Sequence, residues 1–302
     1  MNSALPVVLA LFTAIATATA QQPAEAFLID ATGGSERVWI TSATHDKIHY
    51  QKDEQGGAST EAAVSGVASI YLLEPAALSE ALDLFQARQY AAAKIKFAAI
   101  RTAYQSLHTL PDNPSTLAGY FEMECLRKSG DLAGLAKALE SFDKSGLTRR
   151  NQLRQLDLYA IWDAVRLKEW PRVQELATAR LKERLPGGQR AQVAWCLGVA
   201  SESQGKPREA IDLYQTTLTA DGAASEDLAR DAALRVMRLH QKDPEVKAAM
   251  KEWGTPAEDL QSTGHRRLAE AAALADLWEL ALGGSTPLPT EQKELLKFRA
   301  KR

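Results

Sequence analysis

GVASESQGKPREAIDLYQTTL, residues 198–218, is the stretch whose spacing decides the fold. Gly198 and Gly205 stand seven apart, Ala210 follows five later, and Tyr214 four after that. Apolar residues recur at helical intervals on both sides of Gly205, so the spacing predicts two helices, Ala191–Gln204 and Pro207–Leu218. Gly205 supplies the left-handed residue that commonly ends a helix. Pro207 suits the first turn of the next, where a missing N–H costs nothing. Gly198 and Ala210 carry no bulk, so the two helices can cross closely, with Leu197 and Tyr214 filling the space beside the contact.

The pattern recurs. QYAAAKIKF (89–97) repeats the second helix with Tyr90, Ala93 and Phe97, and GDLAGLAKAL (130–139) repeats the glycine turn with Leu135 at the alanine place. KEWPRVQELATARL (168–181) repeats it with Trp170, Val173 and Ala177. Equivalent positions 93, 135, 173 and 210 are 42, 38 and 37 residues apart by subtraction. Leu197-Gly198, Gly205, Ala210 and Tyr214 resemble the tetratricopeptide repeat, whose period is about 34 residues. Ser201 stands where that family places a tyrosine, and the proline that ends its repeat is absent. The resemblance covers roughly residues 76–250. It implies four helix pairs stacked into a solenoid, with longer loops between pairs than is usual for the family.

Residues 24–74 have a different rhythm. Val38 and Ile40 alternate with Trp39 and Thr41, Ile48 and Tyr50 with His49 and Gln51, and VASIYLL follows at 67–73. Period-two alternation is the strand signal. Gly33-Gly34-Ser35 and Gly56-Gly57 supply turns. The rhythm resembles the small Src-homology-like or Sm-like barrels. The expected fold is therefore mainly α: a tetratricopeptide-like helical-hairpin solenoid over 75–302, preceded by a small β-barrel-like module at 24–74. Within the helical part, RRLAEAAALADLWELAL (266–282) is apolar around more than half its circumference, which predicts burial on two sides. TEQKELLKFRAKR (290–302) reads as a polar-faced terminal cap, carried on Leu295, Leu296 and Phe298.

The first twenty residues, MNSALPVVLALFTAIATATA, have no charge from Leu5 to Ala20 and end in small residues before Gln21-Gln22-Pro23. That pattern predicts a signal peptide at 1–20, although no Lys or Arg precedes the apolar core. The expectation is an exported, periplasmic protein with no transmembrane segment after cleavage. Cys125 and Cys196 sit among apolar neighbours and read as core residues, with a bridge between them left open.

Charge excludes little but informs. Thirty-six Lys plus Arg stand against 38 Asp plus Glu, a formal charge of −2, so there is no general electrostatic pull toward nucleic acid. The chain contains no H-E-x-x-H, no G-x-S-x-G, no phosphate loop and no C-x-x-C. His45 and His49 flank Asp46, but no third metal ligand lies nearby in sequence. No catalytic residue, cofactor or metal site is assigned.

What remains is surface. First helices of stacked pairs line the binding face of helical arrays. In that reading Trp195, Val199 and Glu202 of the fourth pair face the groove, with Trp162, Val165 and Arg166 at comparable places in the third. The same tryptophans can equally be core. The expected function is a non-enzymatic protein–protein interaction module or scaffold of the bacterial cell envelope, binding a protein partner in the groove. Two alternatives stay open: a metal-dependent enzyme whose site is assembled from distant residues, and a structural protein that self-assembles through its ends.

Overall fold

Four helix-to-helix turns share one backbone geometry in the computed structural model, which describes residues 21–221 and 225–299. They join α1 (Ala76–Gln86) to α2 (Tyr90–Ala103), α3 (Pro114–Lys128) to α4 (Leu132–Glu140), α5 (Arg150–Leu167) to α6 (Trp170–Leu181), and α7 (Gly187–Ser203) to α8 (Pro207–Ala220). The turn residues Arg88, Gly130, Lys168 and Gly205 are all left-handed, with φ of 62°, 78°, 58° and 72°. At Gly205 the N–H bonds Glu202 O at 3.1 Å, and the next N–H, of Lys206, bonds Ser201 O at 2.9 Å. The same pair of bonds occurs at Arg88/Gln89, Gly130/Asp131 and Lys168/Glu169. This is the Schellman closure, which satisfies the last carbonyls of one helix while reversing the chain. Each turn lies five residues before an equivalent position of the sequence repeat, 93, 135, 173 or 210, and those four side chains are buried.

The contact proposed at the opening stretch is present in a tighter form. A Cβ placed on Gly198 would come 2.7–3.2 Å from three ring atoms of Tyr214, so the ring lies directly on the backbone of α7. Tyr214 and Ala210 are fully buried. Helix α7 starts four residues earlier than the periodicity predicts, at Gly187. Pro186 precedes it in extended conformation, and a Cβ on Gly187 would meet Ala220 O at 2.5 Å. Gly187 and Gly188 therefore form the helix start, with bare backbone at Gly187 needed against the end of α8.

The described residues fall into two compact units, one reaching to Cys125 with Asp143–Thr148 added, the other comprising Leu126–Phe142 and the chain from Arg149. In the first unit, β1 (Ala24–Ile29), β2 (Ser35–Ala43), β3 (Lys47–Gln51), β4 (Thr60–Ala63) and β5 (Ser69–Leu72) form an antiparallel sheet in the order β4-β3-β2-β1-β5. Alternate residues Ala24, Ala26, Leu28, Val38, Ile40, Ile48 and Tyr50 share one core with Leu78, Phe97, Ile100 and Leu107. The barrel-like module expected at 24–74 is thus corrected: the sheet is open, with β4 and β5 at opposite edges. Helices, not curvature of the sheet onto itself, cover its apolar face.

In the second unit consecutive hairpins are in contact. Helix α5 meets α6 and α7, α7 meets α8 and α9 (Glu226–Lys242), and α9 meets α10 (Pro244–Glu252) and α11 (Thr263–Leu277). The turn into α10 differs from the others: Asp243 is extended and its side chain caps Glu245 N at 2.9 Å. Helix α11 buries Leu268, Ala271, Ala272 and Ala275, whereas Leu277 at its end is 46% exposed. The chain there widens into a π-turn, Trp278–Leu282, that turns Trp278 inward instead. Short helix α12 (Thr290–Lys293) and a 3-10 turn (Glu294–Phe298) follow, burying Leu295 and Phe298 against the core that α11 supplies. Cys125 and Cys196 are buried core residues that form no disulfide. No described helix is long and apolar enough to cross a membrane. The signal peptide expected at 1–20 lies outside the described residues.

Stability changes of two signs follow from these contacts and turns. Gly198→Leu should lower stability by about 1–3 kcal/mol through overpacking, and Tyr214→Ala by about 3–5 kcal/mol. Lys168→Gly should raise it by about 0.5–1 kcal/mol, because a left-handed non-glycine residue is strained. Urea melts of the three variants check both.

Candidate interaction surface on the first helices

Helices α5, α7 and α9 present a seam of polar and aromatic side chains to one another. The rings of Trp162 and Trp195 stack with centroids 5.1 Å apart and planes 25° from parallel. Trp162 Nε1 donates to Gln192 Oε1 at 3.1 Å. Gln192 and Gln155 exchange a pair of amide hydrogen bonds of 3.0 and 2.8 Å. The Arg127 guanidinium stands 5.7 Å from the centre of the Trp162 ring. On the far side of the stack, Trp195 Nε1 donates to Asp231 Oδ2 at 2.6 Å.

Asp231 opens a second cluster. Arg235 Nε donates to the same Asp231 oxygen at 2.5 Å, and its Nη1 reaches Glu202 Oε2 at 2.8 Å. Glu202 also accepts from Tyr214 OH at 2.8 Å and from Arg238 Nη2 at 2.7 Å. Burial by itself would raise the Glu202 carboxyl, but the hydrogen bonds from Tyr214, Arg235 and Arg238 outweigh it and hold the group below its ordinary value of 4.5. Burial and then the neighbouring Glu202 carboxylate push the Tyr214 phenol up. Arg235 is held firmly protonated: burial opposes its charge, but Asp231 and Glu202 more than compensate. The same guanidinium lies over Trp195 and Tyr214, at 5.6 and 5.7 Å from their ring centres.

Sequence-predicted residues fall into three groups. Trp195, Val199 and Glu202 lie half-buried along α7, with Trp195 and Glu202 tied together through Asp231 and Arg235. Trp162 is only 4% exposed and belongs to the packed interior, the alternative that the sequence left open. Val165 is half-buried, and Arg166 is exposed and paired 2.7 Å from Asp163. Sequence reasoning missed Gln155, Gln192, Asp231, Arg235 and Arg238. A signal for them existed: Gln155–Gln192, Trp195–Asp231 and Glu202–Arg238 are 37, 36 and 36 residues apart, close to one repeat.

Glu202 also borders a cleft of about 700 Å³ between the α7–α8 turn and the α9–α10 turn. Pro207, Ile211, Leu239 and Pro244 give it apolar walls. Arg267 is held there by Asp243 at 2.7 Å and Glu245 at 3.1 Å. Arg208 and Lys242, both exposed, line the same cleft. Among the described residues no group of three or more His, Cys, Asp or Glu is placed to hold a metal ion. His49 instead lies 3.7 Å from Glu61 across the β3–β4 pair. No protein-family model, curated protein or solved structure matches this chain.

The Glu202 carboxylate carries a pH signature. A carboxyl depressed in the folded chain stabilises it at neutral pH, and that stability is lost as pH falls through the folded value. Glu202→Gln should cost about 1–3 kcal/mol at pH 7. The difference from the unmodified chain should shrink steadily as the pH is brought below 4.5, in urea melts run across the acid range.

Proposed function

We propose that this chain is a non-enzymatic protein–protein interaction module of the bacterial cell envelope, exported to the periplasm. Its helical part is an array of tetratricopeptide-like hairpins. A partner segment lies along the first helices and enters the cleft beside Glu202. The observation that carries this reading is the cleft itself. It is open, formed by the turns of consecutive hairpins, and combines apolar walls with charged residues at its margin. That combination suits an extended segment with alternating apolar and polar side chains.

The seam behind the cleft supports the same reading. Trp162, Gln155 and Gln192 hydrogen-bond to one another and Trp195 donates to Asp231, which fixes the spacing of α5, α7 and α9 before any partner arrives. A preorganised surface loses less entropy on binding. Of the six residues assigned from sequence, Glu202 lines the cleft, and Val199 and Trp195 lie half-buried along the same helix.

The test is site-specific photocrosslinking in cells, with the reactive residue at Arg208 or Lys242 and, as control, at Arg172 on α6. One protein should be captured from both cleft positions and not from the control. With that protein purified, Ile211→Glu should weaken binding by about tenfold or more, as truncation of an interface anchor does. Equal capture at Arg172, or undiminished affinity of the Ile211→Glu chain, overturns the reading.

A further inference from the structure

A second cleft, of about 510 Å³, lies in the first unit and plays no part in the function proposed above. Three carboxylates, Glu25, Glu54 and Glu74, line it together with Trp39 and Tyr104, and no lining residue is cationic. Their positions follow from the sheet. Glu25 on β1 and Trp39 on β2 are paired in register, and both belong to the sheet face opposite the core. Glu74 leaves the end of β5 just before α1, and Tyr104 closes the end of α2.

The carboxylates are not equally committed. Glu25 Oε1 is held by Arg37 Nε at 2.5 Å, and Glu74 Oε1 accepts from Ser79 Oγ at 2.7 Å, a neutral donor. Glu54 is exposed and has no ion pair or hydrogen bond among the described residues. Two of the three negative charges are therefore uncompensated at the cleft, which favours a cation there. Arg37 already lies over the Trp39 ring at 5.1 Å, so the electrostatics of this face accommodate a guanidinium against an indole.

Tyr104 adds an observation independent of the charge. It is 7% exposed and lines the cleft, yet its hydroxyl has no hydrogen-bond partner among the described residues. The hydroxyl oxygen is not sealed from solvent, so an N–H donor in the cleft can take the place of water on it. Burial keeps this phenol above its ordinary pKa of 10.0, so at neutral pH it adds no charge of its own and offers an oxygen lone pair to an N–H donor.

We infer that this cleft binds an alkylammonium group, with its stem against Trp39 and Tyr104 and its N–H donors shared among Glu54, Glu74 and the Tyr104 oxygen. The group can come from a free polyamine or from a lysine side chain of a partner chain. Titration calorimetry of the full chain distinguishes them, using cadaverine, an acetylated and amidated Gly-Lys-Gly peptide, and a neutral glucose oligomer. Saturable binding of cadaverine or the peptide is expected, and the tighter of the two identifies the source. Binding should weaken with added salt. Glu54→Gln should weaken it about tenfold at low ionic strength. Tyr104→Phe should weaken it about threefold or more, since only the hydroxyl is lost. Glu209→Gln, a carboxylate of the other unit, should leave it unchanged, and melting curves confirm that each variant is folded. Absence of saturable cation binding overturns the inference. So does cation binding indifferent to both cleft variants, or preferential binding of the glucose oligomer.

Discussion

The Tyr214 ring lying on the bare backbone of Gly198 sets the distance between α7 and α8, and much of the second unit is arranged around that distance. With any side chain at 198 the ring would have to move, and with it the hydroxyl that reaches Glu202. Glu202 in turn anchors Arg235 and Arg238 of the next first helix. A packing contact made of carbon atoms thus positions the charged cluster that ties α7 and α8 to α9. The physical reason is that a close-packed interior has no slack through which a misplaced ring could be absorbed.

The first helices also solve a problem that any stack of helices meets. A first helix touches its own partner and the first helix of the next pair, so it is enclosed on several sides, and α7 buries ten of its seventeen residues. Polar residues in such a place ordinarily pair with their neighbours. Gln155 and Gln192 do so by pairing their amides, and Trp195 does so through Asp231. These bonds run between consecutive hairpins, so they specify the register of one pair on the next, a task that apolar packing performs less sharply. The open cleft beside Glu202 lies where the turns diverge.

The hairpin spacing was legible because each turn is local. Whether Gly205 or Lys168 takes the left-handed place depends on residues within one helical turn, and the interval of 42, 38 and 37 residues read from the small side chains is the interval between the turns themselves. The β segment was half legible. Alternation at Val38, Ile40, Ile48 and Tyr50 marks which face is buried, but alternation looks the same in a closed barrel and in an open sheet covered by helices. The candidate surface was legible only as a set of positions. By the 37-residue interval Trp162 stands at the place of Val199, yet one is interior and the other half-buried.

The sequence by itself determined where the hairpins reverse and which small residues permit close crossing, since each depends on neighbours a few positions away. It also determined the absence of every catalytic signature sought. Tertiary structure alone decided that the sheet stays open, that Gly187 and Gly188 start a helix, and that Asp231, Arg235 and Arg238 gather on Glu202. It alone placed the two clefts, whose walls come from segments far apart in the chain. Such pairings rest on which element lies opposite which, and spacing along one chain constrains that choice only after the stack has formed.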